Sequence, residues 1–244
     1  MKNLTKQPDP AAIQERLGRR GFLRYAGFSV AATTAILTAC ENPSMDARVE
    51  TNAGARVAAD GSIDLGSGDV GILNYAYALE QLEYAFYDKV VSSPYAGMSS
   101  MERMILMDIR DHEKAHTFFL KAALGSAAIP SLTANFGAIN FGDRNSVLST
   151  ARTFEDLGVS AYNGAGKLLS NGLNLATAGK IVSVEARHAA IIRELLTPFT
   201  GFFAGDDTVT TDTGLDAVNM PSTVLAAAQP FVVERITASS LPTM

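Results

Sequence analysis

Hydrophobic positions recur at helical spacing in four long stretches of the chain. In the first, Ile72, Tyr75, Ala76, Leu79, Leu82 and Phe86 fall three or four residues apart behind Asp69, a residue that can cap a helix. This helix fades near Val91, with Pro94 and Gly97 in the turn. Ser99 or Ser100 opens the second, MERMILMDIRDHEKAHTFFLKAALG, which Gly125 and Pro130 stop. The third starts near Asn145 and Ser146 and runs through VLSTARTFEDLGVSAYNGAGKLL. After Ser170-Asn171-Gly172 the fourth runs from about Leu173 to Leu196, ended by Pro198. Pro221 and Ser222 begin a short helix that Pro230 limits. Met98, Met101, Met104 and Met107 read as packing residues.

Four helices of about 20–25 residues, each with an apolar stripe, predict an all-α four-helix bundle. Short connections make the first and second helices, and the third and fourth, antiparallel neighbours. The middle connection, residues 126–145, has no strong period and holds Pro130, Gly137 and Gly142. Its length suits a crossover. A 24-residue helix is about 36 Å long and twenty extended residues reach about 66 Å, so this linker can return along the whole bundle.

Composition adds an appendage to that picture. With 47% apolar residues in 244, the chain can bury a real core. Residues 1–40 differ from the rest: Arg19-Arg20-Gly21-Phe22-Leu23 precedes a modest apolar run from Phe28 to Ala39, which ends in Leu37-Thr38-Ala39-Cys40. The double arginine resembles a twin-arginine export signal, and the last four residues a lipobox before a lipidated cysteine. The expectation is an exported protein, periplasmic and held to the cell envelope by an acyl group on Cys40. The plainer alternative is a soluble amphipathic helix with an incidental cysteine. Residues 41–68, rich in Ala, Gly, Asp and Ser, read as a flexible tether with at most a short ordered piece at its end, and residues 69–244 as the bundle with its C-terminal extension. Cys40 is the only cysteine, so the folded part has neither a disulfide nor a thiolate metal site. Beyond residue 40 there are 14 basic against 23 acidic residues, a balance of −9. Such a body is a poor partner for nucleic acid or anionic lipid.

The candidate chemistry lies in a repeat. IRDHEKAH at 109–116 aligns with IVSVEARH at 181–188, matching Glu113 to Glu185 and His116 to His188. LEQLEYAFY at 79–87 aligns with FEDLGVSAY at 154–162, matching Glu80 to Glu155 and Tyr87 to Tyr162. Each pair of helices therefore echoes the other, as a duplicated helical hairpin does. Glu113 and His116 share a face with Ile105, Ile109 and Leu120; Glu185 and His188 share one with Ile181 and Ile192. Four buried carboxylates without cations are prohibitively unfavourable, and two divalent ions balance them. One Glu from each of two helices, plus Glu-x-x-His from each of the other two, is the ligand set of a di-iron or di-manganese bundle. A carboxylate-rich set without thiolate puts iron first, manganese second and zinc third.

Other readings stand beside this one. The glutamates can instead be surface partners of Arg110 and Arg187. Glu83 is the alternative ligand of the first helix, although its counterpart in the repeat is Gly158. His112 reads as a solvated or capping histidine, or as a hydrogen-bond partner behind a ligand. Tyr87 and Tyr162 either hydrogen-bond ligand carboxylates across the bundle or are ordinary aromatic core.

The segments ILNYAYALEQLEYAFY, DHEKAHTFFLKAAL, FEDLGVSAYNGAG and VEARHAAIIREL, with the tail VLAAAQPFV, resemble the ferritin-like superfamily. More narrowly, they look like ferritin-like domain proteins related to desiccation-associated proteins. The resemblance covers about residues 69–235 and implies the four-helix fold, the crossover after the second helix and a dinuclear site at Glu80, Glu113, His116, Glu155, Glu185 and His188. No catalytic residue beyond the metal ligands is expected. Unlike rubrerythrin-like relatives, the chain lacks four cysteines for electron delivery. Its activity is therefore expected to be self-contained: peroxide disproportionation, catalase-like, or ferrous-iron oxidation, ferroxidase-like, with Glu113 and Glu185 bridging two ions. Its partners would be a small-molecule oxidant or ferrous iron, the membrane through Cys40, and other copies in an oligomer. The non-enzymatic alternative is a lipid-anchored stress protein whose metal site only stabilises the bundle.

Overall fold

The computed structural model describes residues 56–243. The export-type segment 1–40, Cys40 and most of the expected tether lie outside the described residues. Four helices dominate: α1 (Gly68–Ser92), α2 (Ser100–Leu124), α3 (Arg144–Gly166) and α4 (Gly172–Leu196), followed by the short α5 (Pro221–Ala228). The fold is all-α, a four-helix bundle, as expected. Among the described residues no helix is long and apolar enough to cross a membrane.

Local chemistry explains most helix ends. Ser99 caps α2 in a capping box: its hydroxyl accepts from the Glu102 amide, and the Glu102 carboxylate accepts from the Ser99 amide. Asp143 caps α3 and Asn171 caps α4, each accepting an amide of the first turn. Asp69 does not cap α1, contrary to expectation. The cap position is Ser67, and Gly66 and Gly68 take φ of 88° and 57° around it, a turn that a side chain would strain. Asp69 falls inside the first turn, and its carboxylate accepts from the Ser170 and Asn171 amides, the Ser170 hydroxyl and the Asn174 amide.

The helices pair as α1 with α2 and α3 with α4, and the hairpins meet through α1 with α3 and α2 with α4. The connection between α2 and α3 is the expected crossover, and it can be followed along α1. The side-chain amide of buried Asn74 donates to Ala127, and its oxygen accepts from the Ile129 amide. Gln81 accepts from the Leu132 amide, Phe136 and Phe141 pack on Phe86, and the Ala96 amide reaches Gly142. Where α3 meets the segment before α5 the fit is closer still. A Cβ at Gly164 would stand 1.8 Å from the Asn219 carbonyl oxygen, so only glycine admits that segment.

At the periphery, the C-terminal end of the stretch 41–68 carries the short ordered piece the sequence allowed: β1 (Arg56–Val57) pairs antiparallel with β2 (Ile63–Asp64), and β2 pairs parallel with β3 (Ile236–Thr237). Ile63 and Leu65 are buried there. The methionines of α2 are not all packing residues. Met98 packs on the core, whereas Met101 and Met104 are 60% and 52% exposed. The buried stripe of α2 runs Glu102, Leu106, Ile109, Glu113, Thr117, Leu120 and Leu124, and these two methionines lie off it.

Candidate metal centre

Each helix delivers its acidic residue to the bundle axis, because each carboxylate occupies a position in the apolar stripe. Glu80 on α1, Glu113 on α2, Glu155 on α3 and Glu185 on α4 are all 0% exposed. His188 is 3% exposed, and the His116 side chain 14%. The structure brings all six together in two groups of four donors, each group lying within 4.8 Å. One is Glu80, Glu113, His116 and Glu185; the other is Glu113, Glu155, Glu185 and His188. Glu113 and Glu185 belong to both. Arg110 does not neutralise them: it pairs with Asp88 and Asp111 on the surface.

Distances within the groups are short, yet much hydrogen bonding is missing. His116 Nδ1 lies 3.2 Å from Glu80 Oε2 and 3.2 Å from Glu185 Oε1. His188 Nδ1 lies 2.8 Å from Glu113 Oε1, but the approach has no hydrogen-bond geometry, and both atoms are buried without a partner. Both oxygens of Glu113, both of Glu185 and Oε2 of Glu155 are likewise unpartnered. Buried polar atoms are almost always satisfied. Six such atoms converging on one point are what a cation-binding cage presents, and oxygen and imidazole donors suit a metal of the iron, manganese or zinc kind.

The tyrosines resolve as hydrogen-bond donors. Tyr87 on α1 donates to Glu155 Oε1 on α3, and Tyr162 on α3 donates to Glu80 Oε1 on α1, each at 2.5 Å. These reciprocal bonds follow the duplication and leave the second oxygen of each glutamate facing the cage. Thr117 donates to the Glu80 carbonyl, tying α2 to α1 beside it. No signal in the sequence distinguished this threonine from any other.

His112 is exposed, as a solvated histidine would be, but it also backs the cage. Its ring stacks on His188 with centroids 5.2 Å apart and planes 10° apart, and its Nδ1 lies 2.9 Å from His188 Nε2. Burial, then the charges of His188 and His116, push the His112 imidazole down. A neutral His112 can accept from His188 Nε2, which orients His188 with Nδ1 inward.

Titration directions describe the same imbalance. Burial, and after it the Glu113 charge, push the Glu80 carboxyl up to about 8, and Glu185 is driven up by the same two causes. Burial alone would lower both imidazoles, yet the surrounding carboxylates outweigh it and hold His116 up to about 12 and His188 up to about 11. Among the described residues, protonated histidine is the positive charge that reaches this point.

Glu83, like Glu102 near the start of α2, is a buried carboxylate outside both groups. It is 4% exposed and faces Gly158 across a cavity of about 10 Å³, lined also by Leu79, Leu82, Phe154 and Leu157. That is room for about one water molecule. In the helix-one position Glu80, rather than Glu83, falls within a donor group.

The sequence model of the family described as Ferritin-like domain matches residues 68–198, more than half of the 244 residues and all four long helices. No curated protein matches the chain.

Proposed function

This chain belongs to the ferritin-like domain family, and from that premise we propose that the cage holds two metal ions, iron first and manganese second, for redox chemistry on peroxide, dioxygen or ferrous iron. The observation that carries the reading is the convergence of six unpartnered buried donor atoms on one point between four helices. Glu80 and His116 would hold one ion, Glu155 and His188 the other, and Glu113 and Glu185, common to both donor groups, would bridge them. Bound there, such a pair supplies two electrons to an oxidant without an organic cofactor.

The protein's own contribution is positioning and exclusion. Tyr87 and Tyr162 fix one oxygen of Glu155 and one of Glu80, and His112 fixes the ring of His188. Apolar side chains enclose the centre, and the adjoining cavity has room for about one water molecule. Substrates of the size of peroxide, dioxygen or a metal ion match that enclosure, and an organic substrate does not. His116 is the most exposed of the six and marks the approach from solvent.

The test is metal analysis of purified protein, with peroxide consumption and ferrous oxidation assayed beside a Glu113→Ala, Glu185→Ala variant. Two equivalents of metal, and turnover that falls at least about a hundredfold in the variant, support the enzyme, since removing both bridging ligands dismantles the centre. Stoichiometric metal without turnover moves the protein to the structural role.

We further propose export and acylation at Cys40, on the strength of Arg19-Arg20 and Leu37-Thr38-Ala39-Cys40. Cys40→Ser should then release the protein from the membrane fraction into the soluble one. An unchanged membrane fraction would count against lipidation.

A further inference from the structure

The duplication that places the six donors breaks at one position, and the break is functional in shape. Glu83 on α1 corresponds to Gly158 on α3. A Cβ built on Gly158 would stand 3.1 Å from Glu83 Oε1 and 3.4 Å from Glu185 Oε2. The Glu83 and Glu185 carboxylates therefore face each other across the space a side chain at 158 would fill. Glu83 is 4% exposed, and among the described residues no hydrogen bond reaches its carboxylate. The small cavity beside it is lined also by Leu79, Leu82, Phe154 and Leu157, none of which offers a side-chain donor.

A buried carboxylate with neither a hydrogen bond nor a cation is among the most unfavourable groups a core can hold. An apolar residue at 83 would suit the stripe of Leu79, Leu82 and Phe86 better, so packing does not account for it. Charge does. The four glutamates of the two donor groups balance the four positive charges of two divalent ions beside neutral imidazoles. A fifth carboxylate balances a fifth charge, such as a pair carrying one ion above the divalent state has.

Resting on the dinuclear reading above, we propose that Glu83 is a seventh protein ligand of the centre, admitted by Gly158, that supports the more highly charged metal pair. Gly158 is a positioning residue in this arrangement: by lacking a side chain it leaves the path from Glu83 to the centre open on the Glu185 side.

The full-length protein, loaded anaerobically with cobalt(II), provides the test, because the visible bands of cobalt report its coordination directly. The wild type is expected to bind two equivalents. Glu83→Gln should still bind two, with altered visible bands and an affinity about tenfold weaker at one of them. Gly158→Ala should shift the same bands, since its methyl group would press on Glu83 Oε1 while all seven side chains remain. In the iron-loaded protein, Glu83→Gln should favour the reduced pair by about tenfold, a rise in midpoint potential of about 59 mV. Should Glu83→Gln fail to fold by its circular-dichroism melt, Gly158→Ala and the charge-retaining Glu83→Asp carry the comparison. Two equivalents bound by every variant with wild-type bands, affinities and potential would overturn the seventh-ligand assignment alone. No cobalt bound by the wild type would instead overturn the dinuclear reading on which it rests.

Discussion

Tyr162 and Tyr87 show how much one hydroxyl can decide at this centre. Each is buried, and each donates its O–H to one oxygen of a buried glutamate, leaving the other oxygen toward the cage. Tyr162→Phe should lower stability by about 1.5–3 kcal/mol, the range for a hydrogen bond to a charged group. It should also weaken metal binding about tenfold, as loss of an orienting partner does. Thermal melts and metal titrations of the variant check both; an unchanged affinity would make the tyrosine ordinary core. The residue scale is also where the sequence was most legible. Glu and His three apart, twice, at matching positions of a duplicated hairpin, identify a face and a chemistry without any coordinates. The tyrosines were not separable from aromatic core in the same way, because their partners lie 68 and 82 residues away. His112 reads as a surface residue from its own helix alone, since its partner is on α4.

Among the elements, the helices were legible and their anchors were not. Periodicity and breakers located α1 to α5 within a few residues, because each long helix has a buried stripe and local stop signals. Asp69 illustrates the failure. As the acid nearest the start of a helix it reads as a cap, whereas its four hydrogen bonds come from the loop between α3 and α4 and the first turn of α4. Burial pushes the Asp69 carboxyl up, but those bonds outweigh it and hold it below its ordinary value of 3.8. A carboxyl with a depressed folded-state pKa contributes stability that is complete above the unfolded value and disappears as pH falls through the folded one. Wild type should therefore exceed Asp69→Asn in stability at neutral pH, and the gap should close as pH drops below about 4. Denaturant melts at pH 7 and pH 3 check this; a gap of equal size at both would refute it. The strands escaped notice for a related reason. β1, β2 and β3 are two residues each, and β2 pairs with β3 across more than 170 positions, so no local alternation marks them.

At the scale of the whole molecule, two copies of a helical hairpin face each other and a crossover lies along α1. The long unpatterned linker gave the crossover away, since its length alone could span the bundle. The pairing of hairpins places the four carboxylates at one level, and the apolar stripes seal them from water. The resulting site is short of positive charge by its own construction: five buried glutamates and two histidines at the centre of an acidic body. Metal should therefore act as part of the fold. A ligand held at a thousand times its Kd adds about 4 kcal/mol of stability, which in a domain of this size raises Tm by about 8–16 °C.

The most direct test is elemental analysis of the full chain after anaerobic loading with ferrous iron or manganese(II) and removal of free metal, read beside its thermal melt. The account predicts two ions per chain, a melt raised by roughly ten degrees over the chelated protein, and loss of both effects in Glu113→Ala, Glu185→Ala. No retained metal, together with a melt that chelation leaves unmoved, would contradict it.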